Sequence, residues 1–196
     1  MQGNPVDDQK LLRKVAARDH TAFRSLVEQY QSLVLRTCYR ILGNREDAED
    51  VAQEVFLKMY QKAKTFRGES QISTWLYRVA VNLSLNLLRK RKRVRYLDFF
   101  TVSKNQPEGP AITLKSSEDN RPDRKLEKTE KSRILKKALD SLPEKQRVAM
   151  ILHKFEGLSH REIADILQTS LSSVESLIHR AKGNLQKKLL PWLKEI

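Results

Sequence analysis

Apolar residues return every three or four positions over most of this chain, and no sustained alternation of apolar and polar residues marks a strand. The pattern predicts an all-α protein. A first helix covers Asp8 to Ala17, with Arg18 at its end. A second begins near Thr21 and carries Phe23, Leu26, Val27, Tyr30, Val34 and Cys38 on one face. It stops at Gly43, the residue type that most readily takes the left-handed turn closing a helix. Asn44 can cap a third helix, whose early carboxylates Glu46, Asp47, Glu49 and Asp50 suit its positive N-terminal end. Its inward stripe is Val51, Val55, Met59 and Ala63. After a turn at Gly68, one long amphipathic helix runs to Arg95, up to ~35 Å at the standard rise per residue.

From Tyr96 to about Asp123 the helical period is lost, and Pro107, Gly109, Pro110 and Pro122 punctuate a polar stretch that reads as a flexible linker. Phe99, Phe100, Ile112 and Leu114 lie within it, either as incidental hydrophobes or as docking groups. Periodicity resumes with Leu126, Ile134, Leu135, Ala138 and Leu139. Helices from Glu144 to about Phe155, Ser159 to Leu167, and Ser172 to Leu190 follow. The expected organisation is two small helical domains, residues 1–95 and 126–196, joined by the linker 96–125.

Composition narrows the function. The chain has 196 residues, 39% hydrophobic and 32% charged, with a formal net charge of +14. Such an excess of cations favours a polyanion partner through counterion release along a phosphate backbone. An anionic membrane surface fits less well, because the basic residues adjoin groups suited to bases rather than an apolar stripe. The lone Cys38 excludes an intramolecular disulfide and suits a reducing cytoplasm; its apolar neighbours mark it as a small core residue. No signal-peptide run opens the chain and no stretch approaches the ~20 apolar residues of a membrane span, so a soluble cytoplasmic protein is expected. His20, His153, His160 and His179 are dispersed and no phosphate-cradling glycine loop occurs. No catalytic residues, metal ligands, cofactor or small-molecule substrate are therefore expected.

Two segments carry nucleic-acid chemistry. Phe66 to Arg95 combines a glycine-containing turn, Trp75, Tyr77, Arg78 and Asn82, and the run Arg89-Lys90-Arg91-Lys92-Arg93. Stacking, amide and guanidinium groups on one rod suit separated strands. Trp75 lies among Leu76, Val79, Ala80 and Leu83 and reads as core rather than as a stacking wedge. The second segment, residues 157–182, reads as a helix-turn-helix: Ser159 and Glu162 form a capping box, Ile163, Ala164 and Leu167 face inward, and Gln168-Thr169-Ser170 makes a short turn. Leu171, Val174, Ile178, Ala181 and Leu185 give the next helix its buried stripe. This leaves Ser172, Ser173, Glu175, Ser176, His179 and Arg180 at the end that enters a major groove, with Lys182, Lys187 and Lys188 placed for phosphates.

DAEDVAQEVFLKMY, FRGESQISTWLYRVAVN, SLPEKQRVAMILHKFEGLSHREIADIL and the final helix, in this order and spacing, resemble the extracytoplasmic-function (ECF) sigma factors of the sigma-70 superfamily. The resemblance implies a sigma-2-like domain and a helix-turn-helix sigma-4-like domain. It implies a bacterial initiation factor that binds core RNA polymerase at the β′ clamp helices and β flap, melts and reads the −10 promoter element, and reads the −35 element as duplex DNA. An anti-sigma factor is the implied regulator. Carried over by position, Asp50, Gln53 and Glu54 match the polymerase-docking surface. Phe66, Arg67, Gly68, Ser70 and Ser73 match the loop that receives a flipped base, with Arg78 and Asn82 one turn apart on the following helix. Arg89, Lys90, Arg91, Lys92 and Arg93 match the upstream phosphate grip. Ser172, Ser173, Glu175, Ser176, His179, Arg180 and Lys182 match the −35 reader, with Arg180 as the bidentate guanine reader. Glu175 and Leu177 stand where Lys or Arg is frequent, and Ser170 and Ser172 where Pro and Gly are frequent. Glu175 either accepts from a cytosine amino group or pairs with His179 at i+4. A helix-turn-helix regulator acting without polymerase accounts for residues 126–190 but leaves the Asp50, Gln53 and Glu54 face idle. A DNA-processing enzyme with a C-terminal reading domain lacks a definable catalytic cluster.

Overall fold

The computed structural model describes residues 5–66, 71–102 and 126–193, which hold eight α-helices and no strand. They are α1 (Pro5–Ala16), α2 (His20–Leu42), α3 (Arg45–Lys62), α4 (Ile72–Val102), α5 (Leu126–Asp140), α6 (Glu144–Lys154), α7 (His160–Leu167) and α8 (Leu171–Leu193). A single 3-10 turn, Ala63–Thr65, follows α3. The all-α class read from the periodicity is the class observed.

Helix ends follow local chemistry. Arg18 at φ 68° lets the chain leave α1, and Asp19 caps α2 by accepting from the backbone N–H groups of Thr21 (2.9 Å) and Ala22 (3.0 Å). Gly43 closes α2 at φ 71°, donating to the Tyr39 carbonyl at 2.8 Å, and Asn44 caps α3 by accepting from Asp47 N–H at 3.0 Å. α4 departs from expectation: it continues beyond Arg95 to Val102. Tyr96–Val102 contains neither Pro nor Gly, and the first breaker is Pro107, so nothing in that stretch forces the backbone out of the helix. The side chains of Phe99 and Phe100, and residues 103–125, lie outside the described set.

The first core gathers Leu12 and Val15 of α1 with Leu26, Tyr30, Val34 and Cys38 of α2. Val51, Val55 and Met59 of α3 and Ile72, Leu76 and Ala80 of α4 complete it. Trp75 is partly buried against this core and meets Phe66 edge-on, ring centroids 6.4 Å apart, in line with its reading as a packing residue. Burial pushes the Cys38 thiol up to about 11 from its ordinary 9.0. A carboxylate is taken inside: that of Asp8 accepts from Gln29 Nε2 at 2.8 Å and from the Tyr30 hydroxyl.

The second core is not confined to the C-terminal module. Leu142, Val148, Ile151 and Leu152 pack with Ile163, Ile166, Val174, Ile178 and Ala181, and the same cluster takes in Ile41 of α2 and Tyr77, Val81 and Leu85 of α4. α4 thus carries two buried stripes, Ile72-Leu76-Ala80 and Tyr77-Val81-Leu85, one for each core. Two positions expected inside are exposed. Leu171 (43%) is the first residue of α8, and Leu135 (38%) lies on α5, which packs chiefly on α8 and so has one face covered.

Burial and the neighbouring Asp8 carboxylate hold the Tyr30 phenol above its ordinary 10.0. The unfolded phenol ionises near that value and the folded one higher, so the stability present below it is lost as pH rises through the interval. Tyr30→Phe should cost about 1–3 kcal/mol at neutral pH by removing a donor from buried Asp8, and should make the alkaline decline shallower; urea unfolding from pH 7 to 11 checks both.

Candidate nucleic-acid interface

The helix-turn-helix is built by local rules. Ser159 Oγ accepts from Glu162 N–H at 3.3 Å and Glu162 Oε2 accepts from Ser159 N–H at 2.8 Å, so both halves of the capping box are present. α7 ends at Gln168, held left-handed at φ 50°, and Thr169 N–H returns to the Ala164 carbonyl at 3.0 Å. Ser173 N–H then donates to Ser170 Oγ at 3.2 Å as α8 begins. Ile163, Ala164 and Ile166 are the buried face of α7; Leu167, expected to face inward, is only partly covered, and Ile166 takes the deeper place. On α8, Ser172, Glu175, Ser176, His179, Arg180 and Lys182 are exposed and Ser173 is half-buried. Glu175, Ser176, His179 and Arg180 line one open hollow of about 410 Å³, and Arg180 Nε donates to the Ser176 carbonyl at 3.2 Å.

α3 presents Asp50, Gln53 and Glu54 to solvent on one face, with Leu57 58% exposed beside them. Glu54 pairs with Lys58 at 3.3 Å. In the segment leading into α4, Phe66 is half-buried and Arg67, Gly68 and Ser70 lie outside the described residues. Ser73 is 8% exposed, with its hydroxyl 3.4 Å from Gln71 Oε1.

The rest of α4 faces the C-terminal module. Arg78 Nη2 donates to the Asp165 carbonyl at 3.0 Å, and Asn82 is exposed. The basic run is partly occupied by carboxylates: Arg89 and Lys92 approach Glu144 at 3.7 and 3.5 Å, and both terminal nitrogens of Arg91 donate to Asp47. Lys90 and Arg93 are exposed. A cleft of about 490 Å³ separates the two modules, lined by Asn82 and Arg89 on one side and Ser172, Ser173, Ser176 and Arg180 on the other, with Lys145 between. The candidate −10 and −35 groups therefore confront each other.

Sequence reading missed the residues that hold this arrangement. The Glu156 carboxylate, with no exposed side-chain surface, accepts from Arg36 Nη2 at 3.1 Å, from Arg40, and from the Tyr77 hydroxyl at 3.2 Å. Arg40 also donates to the Phe155 carbonyl at 3.3 Å and lies 5.1 Å from the Phe155 ring centroid. Burial and the Glu156 charge push the Tyr77 phenol above its ordinary range, and the bond to Glu156 holds the Arg36 guanidinium above its own. Lys136 Nζ adds a bond to the Gly43 carbonyl at 2.9 Å. A Phe-Glu-Gly at a helix end carries no mark of such a role; the signal exists only once α2, α4 and α6 are brought together.

Among the described residues no group of histidine, cysteine and carboxylate side chains could hold a metal, and no helix is long and apolar enough to cross a membrane. Residues 26–94 match the family described as Sigma-70 region 2, and residues 132–185 match Sigma-70, region 4. The chain is 36% identical to the RNA polymerase sigma-H factor of Pseudomonas aeruginosa, over 96% of each chain. It is 34% identical to the ECF RNA polymerase sigma factor SigW of Bacillus subtilis, over 92% of this chain and 95% of that one. The ECF RNA polymerase sigma-E factor of Escherichia coli K12 is also 34% identical, over 96% and 97%. Two solved structures share the fold. CnrH in complex with the cytosolic domain of CnrY has a TM-score of 0.66 at 21% identity, over 93% and 96% of the two chains. The sigma factor RpoE in complex with the anti-sigma factor NepR, from Bartonella quintana, has a TM-score of 0.60 at 24% identity, over 85% and 96%.

Ser159→Ala should remove one half of the capping box and lower stability by about 1 kcal/mol, read as a lower urea midpoint at unchanged slope.

Proposed function

The chain belongs to the ECF family of RNA polymerase sigma factors, and from that membership we propose how its residues divide the work of promoter-specific initiation. Residues 1–95 form the unit that docks on core polymerase and reads the −10 element, and residues 126–196 the unit that reads the −35 element. The observation that supports this most directly is the separation of two chemically opposite exposed faces: the carboxylates and amide of α3, and the serines, His179 and Arg180 at the start of α8.

Asp50, Gln53 and Glu54 are exposed and close enough along α3 to meet basic clamp residues of the β′ subunit through charge-assisted bonds. Arg78 and Asn82 serve the melted −10 strand, together with Phe66, Arg67, Gly68 and Ser70. The burial of Ser73 suits it to supporting that loop rather than to offering a free donor. Arg89, Lys90, Arg91, Lys92 and Arg93 grip phosphates, with Arg89, Arg91 and Lys92 exchanging their present carboxylate partners for the DNA backbone. On α8, Ser176, His179 and Arg180 meet bases, Ser172, Ser173 and Lys182 steady the helix on the backbone, and Glu175 accepts from a cytosine amino group. The protein acts by binding, without turnover of its own, in the cytoplasm where polymerase and DNA reside. An anti-sigma factor is the expected regulatory partner, by analogy with the RpoE–NepR complex.

Run-off transcription with core polymerase on a promoter library tests the reading as a whole. Arg180→Ala should cost about 1–3 kcal/mol and relax base preference at a single −35 position; unchanged preference at every position removes Arg180 from the reader. Reversing the charges of Asp50 and Glu54 together should abolish co-elution with core polymerase while leaving the far-ultraviolet circular dichroism native. A holoenzyme that still assembles removes α3 from the docking surface.

A further inference from the structure

The part of α8 proposed to enter the groove carries little positive charge. Glu175 places a carboxylate ahead of Arg180, and Arg180 Nε is engaged by the Ser176 carbonyl at 3.2 Å. Lys182, Lys187 and Lys188 come only in later turns of the helix. Contacts to phosphate fix register on a duplex and supply much of the electrostatic affinity, so a further cation beside this face adds affinity at every site. α6, which packs across α8, carries one. Lys145 lies in the first turn of α6, is exposed, and lines the cleft that also holds Ser172, Ser173, Ser176 and Arg180.

We propose that Lys145 is a phosphate-binding residue of the −35 reader, supplied by α6 rather than by the helix-turn-helix itself. The inference rests on the assignment of the start of α8 to duplex reading given above. Among the described residues, Lys145 is the cation of that cleft with no partner. Arg89 approaches Glu144 at 3.7 Å and Arg180 is bonded to Ser176, whereas no acceptor engages Lys145. Glu144, its neighbour in sequence, is turned to Arg89 and Lys92, so Lys145 meets a phosphate without first giving up an ion pair. The backbone that carries it is also held in place. Gln146, 9% exposed, accepts from Asn184 Nδ2 at 2.9 Å, and Arg147 Nη1 donates to Asp140 at 3.0 Å, so the start of α6 is tied to α8 on one side and α5 on the other. A residue pre-positioned in this way loses less freedom on binding. In a helix-turn-helix the recognition helix enters the groove while a helix packed across it meets the backbone beside that groove. An ammonium group binds phosphate as a point charge and reads no base, so the contribution of Lys145 is to affinity and not to sequence choice.

Holoenzyme reconstituted from core polymerase and the full chain, titrated with a short duplex bearing the library-selected −35 element over a series of salt concentrations, decides the matter. Losing one phosphate contact lowers the slope of log affinity against log salt by about 0.9, which amounts to about an eightfold loss at ~100 mM salt and almost none near ~1 M. Lys145→Ala and Lys145→Gln should both show that loss, equally on every duplex sequence, with native far-ultraviolet circular dichroism; Lys145→Arg should restore binding. Lys137→Ala, which removes an exposed lysine of α5 outside the cleft, should leave slope and affinity unchanged. Unchanged slope and affinity in the two neutral variants overturns the assignment. So does an equal loss in Lys137→Ala, which reduces the effect to net charge, or an altered base preference at any position, which makes Lys145 a base reader. If the unmodified chain selects no −35 sequence from the library, the reader itself fails and Lys145 falls with it. A chain that selects one and is indifferent to Lys145 sinks this assignment alone.

Discussion

α4 is buried along two stripes about 100° apart, and most of the architecture depends on that one constraint. Ile72, Leu76 and Ala80 complete a core begun by α2 and α3, while Tyr77, Val81 and Leu85, one position further round, complete a core begun by α6, α7 and α8. A surface helix ordinarily covers one apolar face and leaves the other to water. Here the second face is apolar too, so leaving it uncovered costs free energy and the C-terminal module supplies the cover. The fully buried Ser84 lies between the stripes, a small residue where a larger one would hold the neighbouring helices apart.

Electrostatics at the junction follows from the chain's imbalance. With a net charge of +14, the few carboxylates near the basic helix faces are valuable partners, and each of three is claimed across a tertiary contact. Glu144 holds Arg89 and Lys92, Asp47 holds Arg91, and Glu156 holds Arg36 and Arg40. Two of these pairings cover side chains proposed to meet phosphate. The rim pairs are exposed and screened by salt, so they add little stability. The Glu156 carboxylate is fully covered while Arg36 stays about half exposed, and the worth of the group lies more in fixing one geometry than in net free energy.

Much of this was legible in the sequence. Helical period, the Gly43 stop, the Asn44 cap and the Ser159–Glu162 box each act within a few residues, so a linear reading finds them. The exposed faces of α3 and α8 follow from the same period, as does the packing of Trp75. What escaped was tertiary in origin. The end of α4 is the exception, a local one: the apolar pattern fades after Arg95 while the helix runs on to Val102, no breaker preceding Pro107. Leu135 and Leu171 are apolar at plausible register, but their exposure depends on which neighbours are present. The sharing of Ile41, Tyr77, Val81 and Leu85 between modules, and with it Glu156, could not be read from positions more than fifty residues apart in the chain.

The deep placement of Cys38 has a consequence for oxidation. A thiol reacts with oxidants as its thiolate, and this one is sealed from solvent with its ionisation pushed well above neutral pH. Met59 and Met150 are buried as well, so among the described residues no sulfur atom meets the solvent freely. Among the described residues, a sulfur-directed oxidant therefore meets no exposed thiol or thioether. Oxidation of Cys38, Met59 or Met150 therefore requires that the helical core open first.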